Sequence, residues 1–266
     1  MKLEVHHIRA LKGRQQLVEL NVTGPEQARA AELAGVEIIV SGRINERAAI
    51  RAAAPSTHFT FGLIYGRHVN TDDAKRAAFE ALDAGADSIY CAMHFDVVEA
   101  LAKEGIPVVG HVGLVPQKAR LTGFRGFGKS FAEARDIMQA VRRYEEAGAF
   151  AVEMEVVAAP VASAIAAATP LTVISMGSGG GCDVQYLFAV DVLGETTGRM
   201  PRHARAYEHL DEEYRRLQDR RVAAFGAFRA DVAQGQFPAA SELVALPEQE
   251  LDAFRDWLVL PLHRQG

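Results

Sequence analysis

The sequence predicts an α/β fold and, within that class, a closed (β/α)8 TIM barrel with extra C-terminal helices. The first observation is the length, because 266 residues fit one large barrel or two ordinary domains. The second is an alternation of β-branched runs with alanine-rich, charged segments of helical period, which is typical of βαβ units around a parallel sheet. The third is the number of units, because seven or eight within about 200 residues favour closure.

A doubly wound open sheet is the alternative architecture. No nucleotide-binding pattern of the Gly-x-Gly-x-x-Gly type follows the first predicted strand, which disfavours that alternative. No linker or low-complexity segment interrupts the chain. We therefore expect one barrel domain over residues 1–266, with additional helices from about residue 201 to residue 260.

The predicted strands are short runs in which β-branched and other apolar residues dominate. In chain order they cover residues 16–21, 36–41, 58–65, 87–91, 106–111, 149–155 and 171–176, with an eighth at 186–190. The eighth run is short, and periodicity alone does not decide it.

Helices are predicted between these strands from helical period and from start and stop signals. They cover residues 25–34, 46–54, 71–84, 96–103, 131–147 and 161–168. The first has Pro25 near its first turn and Gly35 after its end, and the third is capped by Thr71 or Asp72 and ends before Gly85. After residue 194 the pattern becomes charged and rich in arginine, which predicts further helices over 201–234 and 246–260.

Composition excludes several classes of protein. Apolar residues make up 49% of the chain and charged residues 24%, close to the average of soluble globular chains. The net charge of −5 argues against nucleic-acid binding. No apolar run is long enough to span a bilayer and no secretory leader opens the chain, so we expect a cytoplasmic protein without a membrane partner. The two cysteines, Cys91 and Cys182, have no zinc-binding spacing.

In a barrel of this kind the reacting groups lie at the carboxyl ends of the strands. His111 ends the fifth predicted strand, and it either donates to a substrate oxygen or is a structural histidine held by backbone groups; the two interpretations weigh equally.

Glu153 and Glu155 alternate on the sixth strand, so their side chains share a face. Partial burial raises the pKa of a carboxyl group, which favours Glu155 as a base that removes a proton next to a carbonyl. A buried ion pair is the alternative.

Two glycine-containing loops are weaker candidates. Residues 177–183 follow the seventh strand, and such loops present backbone N–H groups to anions, although a flexible turn is the more common explanation. Arg125 and Lys129 lie in a second loop, which is either a mobile basic loop over an acidic substrate or a solvated surface loop. The nine histidines show no His-Glu-x-x-His or comparable metal spacing.

Four motifs carry a resemblance to a known family. They are GIPVVGHVGLVPQ (105–117), TGFRGFGK (122–129), EEAGAFAVEME (145–155) and MGSGGGCDVQ (176–185). Over roughly residues 16 to 240 the chain resembles ketopantoate hydroxymethyltransferase, and GHVGLVPQ is the most specific part. The resemblance implies a barrel of the phosphoenolpyruvate/pyruvate type and a homo-oligomer, which in the family is usually a decamer.

The family transfers a hydroxymethyl group from methylenetetrahydrofolate to 3-methyl-2-oxobutanoate and uses Mg²⁺ to hold the keto acid. The resemblance therefore implies a small-molecule acid substrate and methylenetetrahydrofolate as the one-carbon donor. His111 falls on the family's histidine that binds the product, and Glu155 falls on its catalytic glutamate. We expect this pair to be catalytic, with His111 stabilising an enolate oxygen. Asp183 and Gln185 match the loop that closes the family's site.

The chain departs from the family where the metal is held. The first metal-binding aspartate, in a Gly-Asp-Ser motif, is replaced by residues 42–44, Gly-Arg-Ile, and the second, in an Ala-Asp-Leu-Pro motif, by residues 61–64, Phe-Gly-Leu-Ile. The substrate lysine aligns with Tyr90, and a nearby glutamate aligns with Ala92. Mg²⁺ needs hard oxygen ligands. We therefore predict no metal site in this chain.

Without a metal, a side chain has to supply the positive charge. Arg43 is predicted to bind the carboxylate of the substrate through its planar guanidinium, although a solvated loop arginine is at least as common. Gly42, Tyr90, Glu153 and Ser178 are predicted to complete the substrate site.

Three function hypotheses follow. The first is a ketopantoate hydroxymethyltransferase-like enzyme that makes or breaks a C–C bond next to the carbonyl of a small carboxylic or keto acid, with Glu155 as the proton-transfer base. The second is a metal-independent lyase, hydrolase or isomerase acting on another small carboxylic acid. The third is a non-catalytic barrel that binds a metabolite, which the presence of both Glu155 and His111 fits less well.

Overall fold

The structure is a computed structural model that describes residues 2–259. It divides into two compact units, of which the first extends to Leu210 and the second begins at Asp211. The grouping of both units into one domain over residues 1–266 stays a prediction. No helix among residues 2–259 is both long and apolar enough to cross a membrane.

The first unit is a closed barrel of eight parallel strands, in which each strand pairs with its neighbours in chain order and the last pairs with the first. This confirms the predicted (β/α)8 architecture. The strands are β1 (Leu17–Asn21), β2 (Ile38–Ser41), β3 (His58–Gly62), β4 (Ser88–Tyr90), β5 (Val108–Gly113), β6 (Ala151–Glu155), β7 (Thr172–Met176) and β8 (Val184–Phe188).

Helices surround the barrel. They are α1 (Val5–Leu11), α2 (Pro25–Leu33), α3 (Arg47–Ala53), α4 (Thr71–Asp83), α5 (Phe95–Lys103), α6 (Ala119–Thr122), α7 (Phe131–Glu146), α8 (Ala159–Ala168) and α9 (Ala189–Val192). Sequence reasoning missed α1, α6 and α9. The predicted cap of α4 was displaced by one residue, because Asn70 is the N-cap and its side chain accepts a hydrogen bond from the Asp73 N–H.

Strand ends are set by pairing with the neighbouring strand rather than by the apolar run. The third predicted strand extended to residue 65, but β3 ends at Gly62, opposite Tyr90, which is the last residue of β4. The fifth was predicted to stop at residue 111, but β5 continues to Gly113 because it pairs with β6 as far as Glu155. The eighth strand was predicted two residues too late in the chain, since β8 begins at Val184, which pairs with Ile174.

The connection from β7 to β8 contains no helix, and it explains the glycine-rich segment. The loop passes so close to α8 that a Cβ at Gly181 would lie 2.0 Å from Ser163 Oγ. Glycine is therefore needed here for close backbone approach. The loop packs against a helix and is not a free turn at the barrel mouth.

Two apolar layers stabilise the barrel. Alternate strand residues point outward and pack against the helices, as Val152 and Met154 of β6 do. The remaining strand residues point inward. The part of the interior nearer the amino ends of the strands is filled by apolar side chains such as Leu17, Ile38 and Ile174. On β6 the inward positions are Ala151, Glu153 and Glu155, so the interior becomes polar toward the carboxyl ends.

The second unit consists of α10 (Leu210–Ala233), which begins at the unit boundary, a short 3₁₀ turn (Ala240–Glu242) and α11 (Glu248–Leu258). The two predicted C-terminal helices are thus present, but α10 begins nine residues after the predicted start at 201. The last predicted residue, Leu260, lies outside the described residues. No residue of α10 or α11 is buried.

Candidate active site

A cavity of about 260 Å³ opens at the carboxyl ends of the strands, and we call it the inner cavity. Five of the predicted site residues line it, namely Gly42, Tyr90, His111, Glu153 and Glu155. The other lining residues are Asn21, Val40, Gly62, Leu63, Ile64, Pro116, Met176, Tyr186 and Phe188. All five lie toward the carboxyl ends of the strands, where barrels of this kind carry their reacting groups.

The His111 ring is the centre of a buried polar network. Its Nε2 lies 2.9 Å from the carbonyl oxygen of Leu114, and because a carbonyl oxygen only accepts, Nε2 carries a hydrogen. Its Nδ1 lies 2.6 Å from Tyr90 Oη and 3.2 Å from a carboxylate oxygen of Glu153. A carboxylate oxygen of Glu155 lies 3.4 Å from Nε2. The ring is thus held by both nitrogens, with one carboxylate on each side.

This arrangement favours the imidazolium form of His111. Burial by itself lowers the pKa of His111, but the hydrogen bonds and charges of Glu153 and Glu155 outweigh it and raise the pKa from 6.5 to about 9. Burial raises the pKa of Glu153, and His111 partly opposes this change. At neutral pH these contacts favour a protonated His111 next to two carboxyl groups.

The GHVGLVPQ motif has a geometric explanation. Gly113 adopts a φ of +84°, and a Cβ there would lie 2.3 Å from the carbonyl oxygen of Glu155. Only glycine lets β5 end this close to β6. The next residue, Leu114, donates its N–H to the Glu155 carbonyl at 2.8 Å and turns its own carbonyl toward His111. The motif thereby fixes the orientation of the imidazole ring.

Tyr90 links the network to the cavity. Burial raises the pKa of Tyr90 well above its usual range, and the charge of Glu153 adds to the effect, so the phenol stays protonated. When His111 is an imidazolium, its Nδ1–H is shared between the Tyr90 oxygen at 2.6 Å and a Glu153 carboxylate oxygen at 3.2 Å. The hydroxyl hydrogen of Tyr90 is then available to a group in the cavity.

Glu19 is a buried acid at the end of the first predicted strand, and sequence reasoning assigned it no role. Its side chain points into the barrel from β1, it is 1% exposed, and its Oε2 has no hydrogen-bond partner among the described residues. Burial raises the pKa of Glu19 well above its usual range, and the charge of Glu153 raises it further. The alternation of Leu17, Glu19 and Asn21 on one face was the available signal, because it places a carboxyl group on the same face as the buried Leu17.

The structure does not bring Arg43 or Ser178 to the inner cavity. Arg43 is exposed, and it is not among the residues that line this cavity. Ser178 is fully buried, and its hydroxyl bonds to backbone groups instead. It donates to the Met154 carbonyl at 2.7 Å and accepts from the Val157 N–H at 2.9 Å. Its role is to tie the end of β6 to the loop after β7.

Asp183 and Gln185 lie near the other end of the barrel, so their assignment to a loop that closes the site was wrong. Asp183 immediately precedes β8, at the amino ends of the parallel strands. Its carboxylate pairs with Lys12 at 2.7 Å and accepts the Val173 N–H at 2.8 Å. Gln185 donates to the Gly179 carbonyl at 3.2 Å. These contacts fasten the strand start and the preceding loop.

The donor set of the cavity does not fit Mg²⁺. Where the resemblance places two aspartates, this chain has Arg43, which is exposed and outside the cavity lining, and Gly62. Neither residue offers a side-chain oxygen, and the two carboxylates nearby are bridged by His111. Within residues 2–259, no group of three or more His, Cys, Asp or Glu is arranged to hold a metal ion.

Comparison with known proteins identifies the family. The profile of the family described as ketopantoate hydroxymethyltransferase matches residues 34–240. The chain belongs to this family. A 3-methyl-2-oxobutanoate hydroxymethyltransferase of Deinococcus radiodurans is 32% identical over 252 residues, which cover 85% of this chain and 86% of that protein. The enzyme of the same name from Oleidesulfovibrio alaskensis is 40% identical over 154 residues, and the match spans 58% of this chain and about half (51%) of that relative.

Solved structures place this member of the ketopantoate hydroxymethyltransferase family among known barrels. Phosphonopyruvate hydrolase matches with a TM-score of 0.54 at 12% identity, covering 96% of both chains. The 2,3-dimethylmalate lyase, described as a PEP mutase/isocitrate lyase superfamily member, matches with a TM-score of 0.53 at 12% identity, covering 96% of this chain and 99% of the lyase. At such identities the likeness concerns the fold alone, and it agrees with the closed (β/α)8 barrel.

Proposed function

We propose that this protein catalyses proton transfer at the carbon next to the carbonyl of a small carboxylic or keto acid, as one step in making or breaking a C–C bond. The observation that carries the proposal is the buried network in which His111 lies between Glu153 and Glu155 and contacts Tyr90. Clusters of buried acids and bases with shifted pKa values in a cavity are typical of active sites. Membership of a transferase family points the same way.

Glu155 is the proposed base. It ends β6 at the cavity wall, it is 8% exposed, and one carboxylate oxygen lies 3.4 Å from His111. In the step, the C–H bond next to the carbonyl breaks, its proton passes to the Glu155 carboxylate, and the electron pair forms an enolate. The enolate carbon then forms a bond to an electrophilic carbon, or in the reverse direction releases one.

Tyr90 and His111 are the proposed acid pair that stabilises the enolate oxygen. The imidazolium donates its Nδ1–H to Tyr90, and the Tyr90 hydroxyl donates to the substrate oxygen. Such a relay places a positive charge two hydrogen bonds away from the developing negative charge, in a site sheltered from water. Neither group has to give up its proton.

The test is exchange of the C–H hydrogen of 3-methyl-2-oxobutanoate for deuterium in D₂O, followed by NMR, with and without EDTA. We expect exchange that EDTA does not affect, and a loss of about 10²-fold or more in Glu155→Gln. Tyr90→Phe should lower the rate while leaving binding of the acid nearly unchanged. The control is Glu26→Gln, on the exposed surface of α2. Unchanged exchange in Glu155→Gln, or exchange abolished by EDTA, would contradict the proposal.

The one-carbon donor and the assembly also stay proposals. Methylenetetrahydrofolate follows from the resemblance, and its use is tested by hydroxymethyl transfer to the same keto acid. Exchange without any transfer would favour a metal-independent lyase, hydrolase or isomerase.

A homo-oligomer fits the absence of buried residues on α10 and α11, which include exposed Val222 and Phe225. Light scattering on the full chain measures the subunit number.

A further inference from the structure

A second cavity, of about 840 Å³, lies at the rim of the barrel, and we call it the rim cavity. Leu114, Val156 and Gly177 line it, and these residues come directly after β5, β6 and β7. His111, Glu155 and Met176, which line the inner cavity, belong to the ends of the same three strands. The two cavities therefore flank the same strand ends.

The charge of the rim cavity is opposite to that of the whole chain. Its charged lining residues are Arg125, Lys129, Arg199 and Arg202, His203 is also present, and no acidic residue lines it. Arg125 is paired with Glu133 at 2.7 Å. Lys129, Arg199 and Arg202 form no ion pair with any residue among 2–259. Lys129, Arg199 and Arg202 are exposed, and three cations without a partner around one cavity create a local positive potential in a chain of net charge −5, which attracts anions.

The basic loop is fastened to the barrel. Phe127 donates its N–H to the Val156 carbonyl at 2.9 Å, and the Ala158 N–H donates to the Phe127 carbonyl at 2.9 Å. The Arg125 guanidinium lies over the Phe127 ring, 4.2 Å from its centroid. These contacts hold the backbone of the loop at Phe127 against the end of β6, while Arg125 and Lys129 are exposed.

Val156 adds an independent sign of a functional site. It has a φ of +52°, a conformation that is unusual for a β-branched residue. Its backbone is held there from both sides, because its N–H donates to the Met176 carbonyl at 2.8 Å and its carbonyl accepts from Phe127. Strain of this kind persists where the surroundings impose it, and it clusters at binding and catalytic sites.

We propose that the rim cavity binds a small molecule that carries two or more negative charges, through Lys129, Arg199 and Arg202. A single carboxylate would neutralise only one of the three cations, whereas a phosphate ester or a polycarboxylate matches the planar donors of two arginines. No lysine or arginine lines the inner cavity, so the anionic part of a ligand is better accommodated at the rim. The binding site does not depend on the reaction proposed above.

The test is isothermal titration calorimetry of the full chain with inorganic pyrophosphate, with citrate and with acetate, at low and at high salt. We expect pyrophosphate, citrate or both to bind, acetate to bind at least about tenfold more weakly, and the affinity to fall with salt. Tighter binding of pyrophosphate identifies phosphate esters as the ligand class, and tighter binding of citrate identifies polycarboxylates.

The variant Arg199→Ser/Arg202→Ser should weaken binding by about tenfold or more. The matched control is Arg9→Ser/Arg29→Ser, which removes two exposed arginines outside the cavity and should leave the affinity unchanged. The proposal is overturned if neither polyanion binds, or if both double variants bind them equally well. Since calorimetry needs no turnover, failure here leaves the deuterium-exchange result standing, and the reverse also holds.

Discussion

The protonated state of His111 makes a quantitative prediction about stability and pH. Its pKa is raised in the folded protein from 6.5 to about 9 by Glu153 and Glu155, against the effect of burial. A raised pKa contributes stability that is fully present below pH 6.5 and is lost as the pH rises through about 9. At about 1.4 kcal/mol for each pH unit, the difference corresponds to about 3 kcal/mol of unfolding free energy.

The measurement is urea unfolding of the wild type and of His111→Gln at pH values from 6 to 10, with equal ionic strength at each pH. The difference in unfolding free energy between the two proteins should shrink by about 3 kcal/mol over this range, since only the wild type loses the proton. His6→Gln, at an exposed position on α1, is the control and should show no such trend. A difference that stays constant with pH would refute the assignment of an imidazolium at His111.

Three further outcomes follow from single contacts. Ser178→Ala should lower the unfolding free energy by about 2 kcal/mol in urea titrations, because it leaves the buried N–H of Val157 without its partner; an unchanged midpoint would speak against that contact. Arg43→Ala should leave kcat/KM for the acid that proves to be the substrate within about twofold of wild type, because Arg43 does not line the inner cavity. A large rise in KM would show that Arg43 binds the substrate. Glu19→Met should stabilise the protein by about 1 to 3 kcal/mol in thermal or urea unfolding, because it removes an unpartnered buried carboxyl group, and a destabilised variant would show that Glu19 has a partner.

The barrel was predictable because it depends on the spacing of apolar residues in strands and helices, which can be read directly from the sequence. The apolar face of β6 alternates with Glu153 and Glu155, and this alternation specified both the strand and its inward face. Strand limits were less predictable, since they depend on where the neighbouring strand stops, as the pairing of Gly62 with Tyr90 shows. That information belongs to two segments distant in the chain.

The site was predictable only in part, for a related reason. His111, Glu155 and Tyr90 lie on strands, where the direction of a side chain follows from alternation, and all three line the cavity. Arg43 and Ser178 follow strand ends, where backbone dihedral angles decide the direction, and neither reaches the cavity. A long or flexible side chain just after a strand therefore cannot be assigned from its position alone.

The burial of several acids in one barrel is not required by the fold. The interior nearer the amino ends is filled by apolar side chains such as Ile38 and Ile174, and a similar residue at position 19 would avoid the cost of burying a carboxyl group. The contact with His111 offsets part of the free-energy cost of burying Glu153. Glu19 has an oxygen without a hydrogen-bond partner among the described residues, so the cost of burying it is not offset in this way. Sequences that keep such unfavourable groups together usually do so for binding or catalysis. In this chain two of these acids, Glu153 and Glu155, lie on either side of His111, and their charges and hydrogen bonds raise its pKa against the effect of burial.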